Sequence, residues 1–171
     1  MNSLSKLDEK KLINLLSKLK PGLLPKDVFF ALARLVVTST YTIVPLFYDG
    51  KIKVHLTTRR KNDPHWSGLL QTPGKVIIPT DKTIEDAYRR LKRTETSGLK
   101  IKKGPIFCGY VFDRIPRGKE IALISFVLLK NKPDFGKLYN VTSLPKNLIP
   151  SEIKRIRIAV RHYKLIKNKK F

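Results

Sequence analysis

The sequence predicts an α/β (α+β) fold in which a mixed sheet carries helices on its faces, with a helical extension in front of it. Three observations lead there. Helical apolar spacing alternates with hairpin patterns, in the order helices, hairpin, helix, hairpin, helix. Residues 120–129 form a nearly unbroken apolar run, the pattern of a central strand covered on both faces. The 171 residues are 42% hydrophobic, with 8 Phe, 6 Tyr and 1 Trp, enough apolar mass for one core.

In chain order, Leu7, Leu12, Ile13, Leu15, Leu16 and Leu19 recur at helical spacing and stop at Pro21-Gly22. A second helix starts at Pro25-Lys26-Asp27 and carries Val28, Phe29, Leu32 and Leu35, and the two read as a packing hairpin in preference to a partner-binding arm. Residues 41–48 and 51–60 are two β-rich runs joined by Asp49-Gly50, where glycine accepts positive φ without steric cost. The second run alternates Ile52, Val54 and Leu56 with Lys51, Lys53, His55 and Thr57, which places His55 on a polar, solvent-exposed face. A loop at 61–81 holds Trp66. Residues 82–97 then read as a helix with Ile84, Ala87, Tyr88 and Leu91 on one side, and Gly98 as its C-cap. Strands over 105–112 and 120–129 meet at a Pro116-Arg117-Gly118-Lys119 turn. Residues 150–168 form a last helix with an apolar stripe (Ile153, Ile156, Val160, Tyr163) and a basic one (Lys154, Arg157, Arg161, Lys164).

The charge balance narrows the function. Thirty-six Lys+Arg against 13 Asp+Glu give +23 and a pI near 10.3, which favours a polyanionic partner or substrate. A single cysteine, Cys108, excludes an internal disulfide framework, and its apolar strand marks it as a core thiol. His55, His65 and His162 are scattered and fit no Cys/His metal spacing. No phosphate-binding or dinucleotide-binding glycine motif is present. The longest charge-free stretch, residues 35–48, is shorter and more polar than a span of about 20 residues. With no signal-peptide core, and with Asp8 and Glu9 arguing against a transit peptide, a cytoplasmic protein is expected.

From Trp66 to Leu99 the sequence resembles the Nudix superfamily. A strand ending in Thr57-Thr58-Arg59-Arg60 leads to His65-Trp66-Ser67-Gly68-Leu69-Leu70-Gln71-Thr72-Pro73-Gly74, which is similar to the W…G.W..PGG opening of those domains. A helix closing at Ser97-Gly98-Leu99 follows, and Leu144–Pro150 looks like the end of many such domains. The resemblance spans roughly residues 38–166 and implies a Nudix-like α/β/α sandwich, divided into a 1–37 helical extension and a 38–171 domain ending in a basic helix. The family's box, G-x5-E-x7-R-E-U-x-E-E-x-G-U (U aliphatic), is degenerate here. Counted from Gly74, its acidic positions fall on Thr80, Arg89, Lys92 and Arg93; counted back from Gly98, only Glu95 survives.

The resemblance therefore implies recognition of a phosphate-containing ligand, a nucleoside diphosphate derivative, with weak, altered or absent metal-dependent hydrolysis. Glu95 is the candidate catalytic residue and ligand for Mg²⁺ or Mn²⁺, with Asp81 or Glu85 as recruits. Asp81, Glu85 and Asp86 also suit capping of a helix start. Arg59, Arg60, Arg89, Arg90 and Lys92 are candidates for binding phosphate directly, and Trp66 and Gly74 for the substrate loop. Trp66 either packs beneath its loop, as the resemblance suggests, or stacks on a base. The alternative is a non-catalytic RNA- or ribonucleoprotein-binding protein, since Nudix-like domains also occur as structural parts of mitochondrial ribosomes. Residues 153–171 carry eight Lys or Arg and no acid, and Lys154, Arg157, Arg161 and Lys164 form one contiguous face for nucleic acid. An anionic membrane surface ranks third, because Tyr163 and Phe171 are the helix's only aromatic anchors.

Overall fold

The computed structural model describes residues 4–168, so the tail ending Lys169-Lys170-Phe171 lies outside the described residues. Among the described residues there are four helices and seven strands: α1 (Lys6–Ser17), α2 (Lys26–Ala33), β1 (Val37–Tyr48), β2 (Ile52–Thr58), β3 (Leu70–Gln71), β4 (Gly74–Val76), α3 (Ile84–Glu95), β5 (Ile101–Ile115), β6 (Gly118–Leu129), β7 (Lys137–Asn140) and α4 (Pro150–Asn168). No described helix is long and apolar enough to cross a membrane.

The strands form one mixed sheet in the order β3-β2-β1-β6-β5, with β4 paired to β1 and β7 to β2. β1 runs parallel to β6 from Val37↔Lys119 to Leu46↔Leu128; the other pairings are antiparallel. β6 is thus central, as its apolar run requires. Its alternate residues feed two cores. Ile124 and Phe126 meet Ile156, Ala159 and Tyr163 of α4, whereas Val127 and Leu129 meet Ala87 and Leu91 of α3. α3 starts with a capping box, Thr83 and Asp86 bonding each other's backbone N–H, so Asp86 is the cap its position suggests.

Several expectations are corrected. His55 is fully buried, because residues 135–140 fold over the polar face of β2: its Nε2–H donates to the Phe135 carbonyl at 2.7 Å, and β7 pairs alongside. Burial holds its imidazole below the usual range. Gly98 is not in a left-handed cap; its missing Cβ makes room for the Phe135 ring. The two N-terminal helices do not form a hairpin core. α1 buries no residue, whereas α2 docks on the domain through Ala33, with Arg117 5.7 Å from the Phe29 ring and His65 edge-on to Phe30 at 5.5 Å. Cys108 is half-buried, and burial pushes its thiol up to about 11, which suits an inert residue.

Candidate functional site

A cleft of about 740 Å³ opens where the ends of several elements converge. β1 supplies Thr40 and Thr42; the loop after β2 supplies Arg59, Arg60 and Trp66; β4 and the end of α3 supply Gly74, Lys75 and Glu95. The β5–β6 turn adds Arg117, β6 adds Glu120, the start of α4 adds Glu152 and Arg155, and α2 closes one side with Lys26 and Phe30. Its size suits a nucleotide-sized ligand.

The carboxylates of this cleft are already engaged. Glu120 and Glu152 are 2% and 4% exposed, and Arg155 stands between them. Its Nη2 donates to Glu120 Oε1 at 2.5 Å and its Nη1 to Glu152 Oε1 at 3.1 Å. Arg117 donates to the other oxygen of Glu120, and the Thr72 hydroxyl donates to the other oxygen of Glu152. Burial pushes the Glu152 carboxyl up, against the opposing pull of Arg155 and Thr72. Glu95 accepts the Gly74 N–H at 3.0 Å and pairs with the Lys75 ammonium at 3.0 Å. A hard divalent cation needs such lone pairs for itself. Among the described residues no group of three or more His, Cys, Asp or Glu is arranged to hold a metal ion. The donor set does not fit Mg²⁺ or Mn²⁺: the chain's own guanidinium and ammonium groups occupy the oxygens a metal would use. Asp81 and Glu85 bring no help. Asp81 is tied to Arg90, whose hydrogen bonds hold its carboxyl below the usual range, and Glu85 is exposed on α3.

The sequence-derived phosphate ligands separate into two groups. Arg59 and Arg60 line the cleft; Arg89, Arg90 and Lys92 do not. Arg90 is spent on Asp81 at 2.6 Å and the Val76 carbonyl at 2.7 Å, Arg89 pairs with Asp86 at 2.7 Å, and Lys92 is exposed on α3. The reason is helical phase. With Ala87 and Leu91 on the sheet, the α3 residues that reach the cleft are Thr94 and Glu95. Arg59 is held by Asp63 at 2.8 Å and by Gln71, while the other oxygen of Asp63 accepts the His65 and Trp66 N–H groups and shapes the loop. Arg60 is exposed, and its side chain has no hydrogen-bond partner among the described residues. Trp66 is half-buried against the cleft rather than sealed beneath its loop. Gly74 approaches β1 closely, where a Cβ would sit 3.3 Å from Thr42 Oγ1.

Lys154, Arg157, Arg161 and Lys164 all lie on the exposed face of α4, apart from the cleft. Lys154 bonds the buried Asp113 at 2.6 Å, and the other three line a separate groove of about 350 Å³. Sequence reasoning missed Lys26, Lys75, Arg117, Glu120, Glu152 and Arg155 as cleft residues. One signal was available: Glu152 and Arg155 continue the phase of Ile156, Ala159 and Tyr163, so an ion pair was written into the buried stripe.

No family model and no curated protein matches the chain. Solved structures do. The NUDIX domain of Shewanella oneidensis NrtR, solved with ADP ribose, is 19% identical with a TM-score of 0.53, covering 82% of this chain and 99% of that domain. The chain has a Nudix-like fold. A NUDIX hydrolase from Nitrosomonas europaea aligns at TM-score 0.52 and 12% identity, over 72% of this chain and 88% of that one. The C-terminal domain of mouse MUTYH, solved in complex with human PCNA, aligns at 0.52 and 15%, over 75% and 91%. The Nudix-like sandwich thus carries the cleft between the N-terminus of α4 and the loop after β2, with α2 added at its rim.

Proposed function

We propose that this Nudix-like chain binds a nucleoside diphosphate derivative, of the ADP-ribose kind, in the cleft, without a divalent metal and without metal-dependent hydrolysis. The observation that carries the reading is that Glu95, Glu120 and Glu152 each bond a cation of the chain, whereas Arg60 keeps its donors for a ligand. An arginine fork matches phosphate oxygens in pairs, and Lys26 adds charge from the α2 side. Trp66 and Phe30, both at the cleft, offer apolar faces for a base. Hydrolysis would need an activated water and neutralisation of developing charge. The fixed guanidiniums serve the second need, but carboxylates held in ion pairs serve the first poorly.

Trp66 is the chain's only tryptophan, so its fluorescence reports on the cleft directly. Titration with ADP-ribose should give a saturable change in EDTA that Mg²⁺ leaves unaltered, and Arg60→Gln should weaken binding about tenfold through loss of a charged hydrogen bond. Binding that requires Mg²⁺, or release of phosphoryl products abolished by Glu95→Gln, would overturn the proposal. A second reading, nucleic-acid binding, is supported by the exposed cations Arg157, Arg161 and Lys164 on α4, Lys154 being tied to Asp113. It predicts an affinity for RNA that falls steeply with salt and with Arg157→Gln/Arg161→Gln.

A further inference from the structure

The face of the sheet that bears α3 is covered near β1 and β4, but β5 lies at the far edge of the sheet. The register places Phe107 opposite Ser125, Tyr110 opposite Leu123, Phe112 opposite Ile121 and Arg114 opposite Lys119. Ser125 bonds the Tyr41 hydroxyl and Leu123 packs on the α3 core, so the whole row points to the α3 side. There Phe107, Tyr110 and Phe112 are 56%, 67% and 55% exposed. Three open rings on one face of one strand mark an interaction surface.

We infer that this face is a stacking platform for single-stranded RNA. The inference shares only its class of partner with the second reading above and stands on different residues from both the cleft and α4. Tyr110 and Phe112 are alternate strand residues, roughly 7 Å apart, and Phe107 joins the same face across the register shift before Gly109, so the rings present stacking surfaces for two or three splayed bases; stacking tolerates any base because each has a π face. The charge pattern selects the polyanion. Arg114 and Lys119 sit directly opposite each other, a repulsive arrangement on paired strands, and neither forms an ion pair among the described residues. A phosphate between them relieves that repulsion. The face's own strand residues include no carboxylate, since Asp113 and Glu120 point to the other side, toward Lys154 and Arg155 of α4. A second copy of the chain fits poorly. Pro105, the register shifts and the exposed Lys102 and Lys103 break the outer edge of β5 against strand addition, and face-to-face pairing would bring four cations together.

The test is a titration of a labelled single-stranded RNA 20-mer of mixed sequence against the full chain, followed by fluorescence anisotropy at several salt concentrations. Tyr110→Ala/Phe112→Ala should lower affinity about 100-fold, and Tyr110→Phe should leave it nearly unchanged. Arg114→Gln/Lys119→Gln should flatten the slope of log K against log salt by roughly 1.4. All four substituted side chains are exposed, and an unchanged melting temperature with unchanged Trp66 fluorescence confirms that the variants are folded. Absence of RNA binding at low salt overturns this inference and the second reading together. Binding that survives loss of the rings but disappears with Arg157→Gln/Arg161→Gln overturns the inference alone and moves the RNA to α4. Sedimentation of the wild type as a dimer that Tyr110→Ala/Phe112→Ala dissociates, with RNA affinity unaltered, also overturns it.

Discussion

Arg155→Met removes the guanidinium that joins Glu120 to Glu152 and leaves an apolar chain of similar length in its place. The two carboxylates are 2% and 4% exposed, so water cannot replace what is lost. Arg117 still holds Glu120, whereas Glu152 keeps only Thr72. Stranding a buried charge costs about 3–5 kcal/mol, and the surviving Arg117 pair places the expected loss near the lower end. That is a large share of the roughly 5–15 kcal/mol that holds a domain together. The deficit depends on pH. Burial already pushes the Glu152 carboxyl up, and without Arg155 it rises further above the unfolded value of about 4.3. Between those two values the folded state keeps a proton that the unfolded chain has released, so the variant gains stability as pH falls through the raised value. Urea midpoints at pH 7 and pH 5 should therefore show the deficit shrinking in acid at constant m. The neutral triple variant Glu120→Gln/Glu152→Gln/Arg155→Met should recover most of the loss. In Arg155→Met, Mn²⁺ should raise the melting temperature, because two carboxylates lose the guanidinium that joined them; in the wild type it should not. A loss below about 1 kcal/mol at pH 7, or a deficit indifferent to pH, would refute the argument that buried charge compensation shapes this cleft.

Two other perturbations test how the covering segments act. The His55 ring is fully buried with Nε2–H on the Phe135 carbonyl and Nδ1 without a partner among the described residues, and burial keeps its folded-state value below the unfolded one near 6.5. The unfolded chain thus binds the extra proton, and stability should fall as pH drops below about 6.5, with a slope of up to about 1.4 kcal/mol per pH unit from this group; His55→Gln should flatten urea midpoints measured between pH 7.5 and 5, and an unchanged slope would show that His55 is not the titrating group. Gly118 has φ +140°, and a Cβ there would collide with the Ala33 carbonyl at the end of α2. Gly118→Ala should therefore displace α2, withdraw Lys26 and Phe30 from the cleft, weaken ADP-ribose binding about tenfold, the loss of one charged contact, and expose the segment before β1 to limited proteolysis; undiminished affinity with α2 still protected would refute a role for α2 at the site.

The elements longest in sequence were the most legible. Asp49-Gly50 marked the first hairpin, the apolar run at 120–129 marked the central strand, and the two stripes of α4 predicted which face would be buried. β3, β4 and β7 were not legible, because two to four residues carry no measurable period. The consequence is clearest at His55, whose cover, β7 and Phe135, carries no period of its own.

At the site the division is the same. Local sequence determined which residue types surround the cleft: Arg59, Arg60, Trp66 and Gly74 in one loop region, and the loss of all but one box glutamate. Only the tertiary structure decided which charges are free. Arg90 and Glu95 lie five positions apart on one helix, yet one is consumed by Asp81 and the other by Lys75. Glu120 meets Arg155 across 35 positions, and Thr72 meets Glu152 across 80. No spacing rule reaches that far. A charge's partner is chosen by which segments the core brings together, and in a buried cleft that choice determines whether a carboxylate can serve a metal, a water or only its neighbouring arginine.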